Sequence, residues 1–355
     1  MSRLVGVVLV NYQDYAERFL TACRDSLRAQ DYSPLNLKVY LVDNASSEKS
    51  RAYLRSCYPE AKILERGDGN YCAANNLGFA EAIKDGCEYL VALNMDTEMP
   101  LTWLSELVLA LDKNPTAGIA QSKILLYPQT EAERQNLKIN TLGNRLNFLG
   151  FGFTSAYREI DREISAYPEI NGYASGCCLM IRKEVFEAVG GWDESYYMYH
   201  DDIELSLKVL LAGYKIILAP QSVVFHKYEF KRSVRMLYYM ERNRYLLVLG
   251  FYPRRLLIFL APAFIIMSLG MLAFALAKGW AATWFKVLGF FLKPVTWINI
   301  KKTRRQIKKA SKISFSAIAK NLESQIDFSE INNPLLKYIG NPLLRLYWNG
   351  AKKLI

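Results

Sequence analysis

Short apolar runs alternate with amphipathic stretches along the first two-thirds of the chain. Residues 4–10, 37–42 and 89–93 are largely apolar, which is typical of strands buried on both faces of a parallel sheet. The stretches between them, such as residues 15–30 and 72–83, repeat apolar residues with helical spacing. Strands that alternate with helices predict an α/β fold with right-handed crossovers. Further strands are predicted at residues 62–64, 119–124, 175–181 and 222–225.

Polar side chains follow three of the predicted strands, where each apolar run ends. Asn11, Asp43 and Asp96 stand at or just beyond these ends. Because the carboxyl ends of parallel strands meet at one edge of a sheet, they predict a nucleotide-sized cleft there. Asp96 offers a hard carboxylate to Mg²⁺ or Mn²⁺ carried in on a diphosphate. Alternatively, Asp96 and Thr97 only cap the helix that begins near Pro100.

Paired carboxylates in the second half of the chain follow a cluster of aromatic residues at 196–199. Asp201 and Asp202 open a predicted helix, where the helix dipole alone would favour acidic side chains. An aromatic wall beside two carboxylates is also how a sugar-sized ligand is held next to a general base. His226 ends the strand at 222–225, and a neutral imidazole there can bind Mn²⁺ or Mg²⁺.

Missing motifs disfavour several classes of protein. No GxGxxG follows the first strand and no GxxxxGK[ST] occurs, which argues against a dinucleotide-dependent enzyme and a P-loop NTPase. The 6 cysteines form no CxxC pair and the chain has 2 histidines, so a zinc site is not expected. Free thiols fit a reducing cytosol, and the amino terminus shows no signal-peptide pattern.

An uncharged stretch at residues 256–277 is long enough to cross a membrane. Residues 280–300 are also apolar apart from Lys286 and Lys293, and form either the returning half of a hairpin or an amphipathic interfacial helix. Basic residues precede this region, and a basic block at 301–309 follows it. By the positive-inside rule both flanks belong in the cytoplasm, which favours a hairpin or re-entrant anchor.

The net charge of +11, from 45 Lys and Arg against 34 Asp and Glu, predicts an anionic partner. A phosphorylated ligand, an anionic lipid surface and a nucleic acid would each fit that charge. The basic block at residues 301–309 lies beside the apolar stretch, so lipid explains it better than nucleic acid does. We therefore expect a membrane partner and no nucleic acid.

Two segments carry recognisable motifs. Residues 93–97, Leu-Asn-Met-Asp-Thr, are similar to an LNPDT form of a DxD metal motif, and residues 70–78 to the nucleotide loop N-x-G-x-A-x-x-N-x-G. With four further stretches, they resemble the family 2 glycosyltransferases of the GT-A fold, in particular the rhamnosyltransferase-like branch. The other stretches are residues 7–12, 42–46, 175–194 and 199–205.

The resemblance has four departures from the family's pattern. Asn94 replaces the first Asp of the strict DxD motif, and Met95 replaces the usual Pro. Asp201 stands where Glu is commoner, and Glu204 where Asp is commoner. The last two exchanges keep the charge but change the reach of each carboxylate by one methylene, which bears on which of them acts as the base.

The resemblance implies an organisation for the whole chain. Residues 1–250 would form a GT-A catalytic domain, with a mixed, mostly parallel sheet flanked by helices. Residues 251–300 would form a membrane-anchoring helical segment, and residues 301–355 a basic amphipathic tail.

The resemblance also implies roles for individual residues. Asp202 would be the general base and Asp201 would position the acceptor, while Asp96 with His226 would hold Mg²⁺ or Mn²⁺. Asp43 would read the base of the nucleotide. The other nucleotide-binding residues would be Asn11, Asn70, Asn75 and Asn94. Trp192 and Tyr199 would pack on sugar rings, and Glu204 would lie on the acceptor or sugar side.

The implied function is an inverting hexosyltransferase of cell-wall or polysaccharide biosynthesis. It would move a sugar, rhamnose by resemblance, from a dTDP- or UDP-sugar to a hydroxyl of a lipid-linked or cell-surface glycan. Its catalytic domain would lie on the cytoplasmic face of the cell membrane. Two alternatives are a sugar nucleotidyltransferase and a catalytically degenerate membrane scaffold, to which Asn94 lends weight. The sequence does not fix the sugar, the linkage or the oligomeric state.

Overall fold

The computed structural model describes residues 3–45, 47–228, 233–327 and 334–354. The chain divides into two compact units. The first comprises residues 1–144, 154–209 and 214–229, and the second comprises residues 145–153, 210–213 and 230–355. The second unit therefore begins upstream of residue 250, where the sequence placed the end of the catalytic domain. Residues 229–232, which carry part of the predicted basic flank, lie outside the described residues.

The strands largely match those predicted from the apolar runs. They are β1 (Val5–Asn11), β2 (Leu37–Asn44), β3 (Lys62–Arg66), β4 (Tyr89–Leu93), β5 (Thr97–Glu98), β6 (Ala117–Leu126), β7 (Ile139–Thr141), β8 (Asn144–Leu146), β9 (Gly152–Thr154), β10 (Cys178–Arg182) and β11 (Lys215–His226). β8 and β9 form a separate two-stranded sheet. The predicted run at 222–225 is the end of a longer strand, because β11 starts at Lys215.

The main sheet is mixed and mostly parallel, as predicted. Its order is β3-β2-β1-β4-β10-β6-β11-β5, with β7 paired to β6. β3, β2, β1 and β4 run parallel, β10 is antiparallel to both of its neighbours, and β11 runs parallel to β6. In the β1–β2 register Asn11 lies opposite Asp43, so two predicted site residues meet at the carboxyl edge.

Helices of the first unit connect these strands. They are α1 (Tyr15–Arg28), α2 (Glu48–Cys57), α3 (Tyr71–Lys84), α4 (Trp103–Lys113), α5 (Glu131–Gln135), α6 (Lys183–Val189) and α7 (Asp201–Leu211), which continues into the second unit. Ser47 caps α2 by accepting a hydrogen bond from the Ser50 amide at 3.1 Å.

Two glycines let α3 approach β1 closely. A Cβ added at Gly78 would lie 2.4 Å from Val8 Cγ1, and one at Gly6 would lie 2.6 Å from Ala82 Cβ. Real Cβ atoms do not approach other heavy atoms at such distances, so a larger residue at either position would push the helix away from the sheet. This packing fixes the amino end of α3 beside the carboxyl edge of the sheet.

The second unit is mostly helical. Its helices are α8 (Val234–Phe251), α9 (Arg254–Ala277), α10 (Ala281–Phe291), α11 (Pro294–Ala310), α12 (Phe315–Ala319) and α13 (Asn341–Ala351). A π-helical turn, Leu336–Gly340, leads into α13. α9 contains the predicted uncharged span, is long and apolar enough to cross a membrane, and buries 17% of its most apolar stretch. The apolar region at 280–300 forms two helices rather than one.

A buried ion pair lies in the interior of the second unit. Arg244 Nη2 lies 2.7 Å from Glu241 Oε2, and Arg244 Nη1 donates to the Leu149 carbonyl at 3.0 Å. The guanidinium also stacks over the ring of Phe151 at 4.4 Å. Because these contacts compensate the buried positive charge, we assign Arg244 a structural role.

Candidate functional site

Asn11 and Asp43 form a buried pair at the ends of β1 and β2. Asn11 Nδ2 donates to Asp43 Oδ1 at 3.0 Å and to Ser50 Oγ at 3.1 Å, while Asn11 Oδ1 accepts from the Ala16 amide at 2.9 Å. Asn11 is fully buried and Asp43 is 2% exposed. The amide of Asn11 therefore orients Asp43 and the start of α1, rather than facing an open cleft.

The loop before α3 contacts the loop before α7. A Cβ at Gly69, whose φ is +70°, would lie 2.6 Å from the Tyr197 hydroxyl oxygen and 3.0 Å from the ring of Tyr12. The Tyr197 carbonyl accepts hydrogen bonds from the amides of Tyr71 at 2.8 Å and Cys72 at 3.3 Å. These contacts join the predicted nucleotide loop to the segment that carries the paired carboxylates.

The other predicted nucleotide-binding asparagines differ in their accessibility. Asn70 caps α3 by accepting from the Ala73 amide at 3.1 Å, and its Nδ2 donates to the Glu194 carbonyl at 2.9 Å. Asn75 is 1% exposed and donates to the Tyr71 carbonyl, so its side chain faces the protein interior. Asn94 is half-buried at the end of β4 and accepts from the Tyr71 hydroxyl at 3.2 Å.

Asp96 and His226 are in direct contact. The β5–β11 register places His226 opposite Thr97, and His226 Nε2 lies 3.2 Å from Asp96 Oδ2. His226 Nδ1 lies 3.1 Å from Asn140 Oδ1, and the Tyr15 hydroxyl hydrogen-bonds to Asp96. Burial alone would raise the pKa of Asp96, but the hydrogen bonds from His226 and Tyr15 outweigh burial and lower it.

The Asp96–His226 pair fits a divalent cation. Asp96 Oδ1 is buried and has no hydrogen-bond partner among the described residues. Asn140 Oδ1 can accept the proton of His226 Nδ1, which would leave Nε2 free to bind a cation held beside the carboxylate. Within residues 3–45, 47–228, 233–327 and 334–354, no group of three or more His, Cys, Asp or Glu is placed to hold a metal ion. Two protein ligands would thus leave the remaining positions to a diphosphate and water.

The paired carboxylates occupy the first turn of α7. Asp201 is 7% exposed and Asp202 is half-buried. Asp202 accepts hydrogen bonds from the amides of Ile203 at 2.9 Å and Gly176 at 3.4 Å. Burial, together with the charge of Asp202, raises the pKa of Asp201, and burial raises the pKa of Asp202 above the ordinary range. A raised pKa is the property expected of a general base that must take up a proton.

The backbone before α7 is strained. Tyr197, Tyr199 and His200 have φ values of 67°, 63° and 60°, a region that favours glycine. Such strain is concentrated at functional sites, where the surrounding contacts hold it in place. Tyr199 is 39% exposed, and its packing against a sugar ring stays a prediction.

Tyrosines that the sequence did not single out connect the two acidic groups. The Tyr228 ring lies 5.4 Å from the His226 ring and 6.3 Å from the Tyr157 ring. Burial raises the pKa of Tyr173, with further contributions from Asp202 and Tyr228. Tyr71 hydrogen-bonds to Asn94, and burial followed by the charge of Asp201 raises its pKa. The backbone joins the two pairs directly, because the Asn94 amide donates to the Cys177 carbonyl at 2.9 Å and the Gly176 amide donates to Asp202 at 3.4 Å. The Asp96–His226 pair and the Asp201–Asp202 pair therefore belong to one tyrosine-lined site.

Two predicted acceptor-side residues lie inside the protein, which corrects their predicted role. Trp192 is 4% exposed, and its ring lies 5.0 Å from that of Phe79 and 5.6 Å from that of Phe186. Glu204 is fully buried, forms an ion pair with Lys208 at 2.5 Å and accepts from the Asp193 amide at 3.3 Å. Neither side chain is available to touch a sugar, and both instead support the loop before α7.

Solved structures share this fold. The structure of GalNAc-T7 with UDP, GalNAc and Mn²⁺ superposes with a TM-score of 0.56 at 16% identity, covering 71% of this chain and 48% of that chain. The structure of S. aureus TarS 1–349 with UDP gives a TM-score of 0.50 at 13% identity, covering 98% of this chain and 90% of that chain. At these identities the likeness concerns the fold alone.

Sequence relatives define the family. The N-acetylglucosaminyl-diphospho-decaprenol L-rhamnosyltransferase of Mycobacterium tuberculosis (strain ATCC 25618 / H37Rv) is 29% identical over 244 residues, which are 64% of this chain and 76% of that protein. The O-antigen biosynthesis protein RfbC of Myxococcus xanthus is 27% identical over 229 residues, which are 62% of this chain and 17% of that protein. The profile described as "Glycosyl transferase family 2" matches residues 6–190, which include Asp43 and Asp96. The GT-A fold and the enzyme class expected from the motifs are thus confirmed, and this chain belongs to glycosyl transferase family 2.

Proposed function

We propose that the chain moves a sugar from a nucleotide diphosphate to a hydroxyl of a lipid-linked glycan, with inversion at the anomeric carbon. One observation carries this proposal: the paired carboxylates of α7 share a tyrosine-lined site with the Asp96–His226 pair. Direct displacement requires a base that takes the proton of the acceptor hydroxyl and a group that binds the departing diphosphate. Such a displacement needs no protein nucleophile.

Asp202 is the proposed general base. It is the more exposed of the two carboxylates, and the amides of Gly176 and Ile203 hold its two oxygens. The acceptor hydroxyl would give its proton to Asp202 while its oxygen bonds to the anomeric carbon and the bond to the diphosphate breaks. Asp201, more deeply buried, would orient the acceptor, and Tyr199 would pack against a sugar ring.

Asp96 and His226 are the proposed holders of Mg²⁺ or Mn²⁺. A divalent cation bound there would neutralise the charge that develops on the departing diphosphate. The unpartnered Asp96 oxygen supports this role, as does the Mn²⁺ in the GalNAc-T7 structure. Tyr15 and Asn140 would keep the two ligands in place through their hydrogen bonds.

The donor is proposed to be a dTDP- or UDP-sugar. Asp43 would read the base, with Asn11 orienting it from β1. Asn70 and Asn94 would line the nucleotide directly, because both remain partly accessible, while Asn75 would act through the backbone of α3. Rhamnose is proposed as the sugar, and a polyprenyl-diphosphate glycan as the acceptor, because the mycobacterial relative is an N-acetylglucosaminyl-diphospho-decaprenol L-rhamnosyltransferase.

The enzyme is proposed to act at the cytoplasmic face of the cell membrane. α9 supplies the apolar helix, and the basic half of α11 supplies exposed positive charge for the cytoplasmic leaflet. The proposed division keeps catalysis within residues 1–250, anchoring within 251–300 and a membrane-surface role for 301–355.

A ligand panel followed by a transfer assay tests this function. Thermal unfolding is measured with dTDP-rhamnose, UDP-sugars and GDP-mannose, each with and without Mn²⁺. We expect a dTDP- or UDP-sugar to raise Tm only with Mn²⁺, because ligands that bind the native state stabilise it by mass action. The same donor should then glycosylate polyprenyl-diphosphate N-acetylglucosamine. Stabilisation by GDP-mannose alone would contradict the proposed donor, and hydrolysis without transfer would contradict the acceptor.

A further inference from the structure

Exposed apolar side chains in the second unit are not confined to the predicted span. α9 exposes Ile258, Ile265 and Ile266 at 71%, 61% and 71%, and α11 exposes Ile298 at 64%. The π-helical turn and α13 add a further group, in which Tyr338 is 70% exposed. Large exposed apolar side chains in such number point to a site of interaction with a membrane or another protein.

The inner face of α13 is firmly attached. Asn341 accepts from the Ile326 amide at 2.9 Å and donates to the Ile326 carbonyl at 3.0 Å, so its side chain pairs with the backbone like a neighbouring strand. Trp348 is 1% exposed, stacks on Phe148 at 4.9 Å and donates to the Leu322 carbonyl at 3.2 Å. α13 is therefore a fixed element of the second unit rather than a loose tail.

The outer face of this element is apolar. Leu343 and Leu346 are 61% and 74% exposed, and Leu335 and Ile339 in the preceding turn are 67% and 55% exposed. Inward contacts already hold the helix, so these side chains are not needed for its packing. We call the group of Leu335, Tyr338, Ile339, Leu343 and Leu346 the outer face of α13.

A lipid bilayer is the occupant that the surroundings favour. The Tyr347 hydroxyl donates to the Phe259 carbonyl, which links α13 to the first turns of α9. Phe259 is five residues beyond Arg254, where α9 begins, or about 8 Å along a helix at 1.5 Å per residue. If α9 enters the bilayer from Arg254, that depth is the boundary between headgroups and acyl chains.

The charges around the outer face agree with a membrane interface. Lys337 and Arg345 are exposed on the same element, and Arg254 and Arg255 are exposed at the start of α9. Basic side chains at this level meet anionic headgroups, while leucine and tyrosine enter the boundary below them. Apolarity alone would also fit a protein partner, but the contact of α13 with α9 through Tyr347 and these four exposed basic residues favour lipid.

We propose that α13 lies in the plane of the membrane and inserts its outer face at the interface beside α9. This inference rests on the membrane location proposed above, and assigns residues 335–346 a role of their own. The protein would then contact the bilayer at two elements: α9 enters the hydrocarbon, and α13 lies at the boundary of the hydrocarbon.

Site-directed fluorescence tests the proposal. The cysteines of the described chain are all buried, so an exposed introduced cysteine is the preferred target of an environment-sensitive dye. Leu343→Cys and Leu346→Cys report the outer face, and Asn349→Cys reports the polar flank of the same helix. Lys113→Cys, exposed on α4 in the first unit, is the remote control. Each protein is reconstituted into phosphatidylcholine–phosphatidylglycerol vesicles that carry nitroxide-labelled lipid.

We expect a blue shift and strong nitroxide quenching at positions 343 and 346, weaker quenching at 349, and neither effect at 113. Vesicle-bound protein whose dyes at 343 and 346 stay in water would overturn this inference and leave the membrane location standing. Failure of the protein to bind vesicles at all would overturn both. A blue shift without vesicles, together with a dimer by light scattering, would show that a second copy covers the face and would also overturn it.

Discussion

Asn76 and Trp192 are joined by two reciprocal hydrogen bonds. Asn76 Nδ2 donates to the Trp192 carbonyl at 3.0 Å, and the Trp192 amide donates to Asn76 Oδ1 at 3.0 Å. One side chain on α3 thereby fixes the backbone of the loop that leads to Asp201. Gly191 permits the contact, because a Cβ there would lie 2.7 Å from Asn76 Oδ1 and its φ is +65°.

Asn76→Ala is expected to lower the free energy of unfolding by about 2 kcal/mol. The substitution leaves an amide and a carbonyl of Trp192 without their partners in a partly buried place, and each such loss costs about 1–3 kcal/mol. The measurement is urea unfolding. Asn136→Ala is the matched control, because Asn136 is exposed and donates only a 3.4 Å hydrogen bond within its own helix end. Equal stability of the two variants would contradict the role of Asn76.

Asp202→Asn is expected to retain donor binding and to lower kcat by at least about 10²-fold, the usual effect of removing a general base. Asparagine keeps the shape but can accept from only one of the two amides that contact Asp202, so retained donor binding and an unchanged Tm are needed to show that the loss is chemical. Steady-state kinetics and donor titration provide the measurement. If Asp202→Asn is active and Asp201→Asn is inactive, Asp201 is the base and the two proposed roles are reversed.

The pH dependence of stability tests the burial of Asp201. Burial and the charge of Asp202 raise its pKa in the folded protein. A group with a raised folded-state pKa favours folding when protonated, and this contribution is lost as pH rises through that pKa. Asp201→Asn is uncharged at every pH. Its Tm should therefore exceed that of the unchanged protein at neutral and higher pH.

The two Tm values should converge below about pH 4, near the ordinary pKa of aspartate. Thermal unfolding across pH gives the result, with Asp25→Asn as control because Asp25 lies at the surface beside Arg24. A gain in Tm that is equal at all pH values would show that charge burial is not its cause.

The strand ends were predictable from the sequence, while the orientation of motif side chains was not. Three apolar runs end at Asn11, Asp43 and Asp96. Because parallel strands end at one edge of a sheet, these residues lie at that edge whatever conformation the loops adopt. Trp192 and Glu204 lie in recognisable motifs, but sequence cannot tell whether such a residue faces a ligand or the interior. Glu204 forms an ion pair with Lys208, four residues later on the same helix. This i,i+4 spacing is visible in the sequence and could have predicted that Glu204 has a partner inside the protein.

The tyrosines of the site and the outer face of α13 were missed for a different reason. Tyr157 and Tyr173 belong to the irregular segment between β6 and β10, where no periodicity predicts which residues meet. Tyr228 is two residues from His226, but the sequence does not show that β11 pairs with β5 and brings this segment to Asp96. α13 carries Pro342 in its first turn, where proline is tolerated, so neither this residue nor an apolar repeat marks the helix clearly in the sequence.

Asp96→Ala is expected to abolish transfer and to remove the Mn²⁺ dependence of donor binding. The substitution deletes the carboxylate that contacts His226 and whose Oδ1 has no hydrogen-bond partner among the described residues. Calorimetric titration of the donor with and without Mn²⁺ measures the effect. Glu98→Gln is the control, since Glu98 pairs with Lys227 at 2.6 Å two residues away. Unchanged Mn²⁺-dependent affinity in Asp96→Ala would exclude Asp96 as a ligand.

The packing of α11 against α8 bears on how the apolar region meets the membrane. Arg304, in α11, donates to the carbonyls of Leu249 at 2.6 Å and Tyr252 at 2.9 Å, at the end of α8. α8 precedes α9 and α11 follows it, so both flanks of α9 lie on the same side of any bilayer that α9 enters. A lone membrane crossing by α9 would separate these helices.

We therefore predict that both the catalytic domain and residues 301–355 face the cytoplasm, and that high salt does not extract the protein from membranes. Burial of α9 in hydrocarbon does not depend on screened charge, and translocating the basic half of α11 would be costly. The check is labelling of Lys302→Cys and Lys320→Cys by an impermeant reagent in intact spheroplasts, with permeabilised cells as the positive control. Both positions are exposed on the protein, so protection in intact cells would come from the membrane. Labelling of either cysteine before permeabilisation would show that α9 crosses the membrane once and that the tail is external. In that case Arg304 could not contact the end of α8.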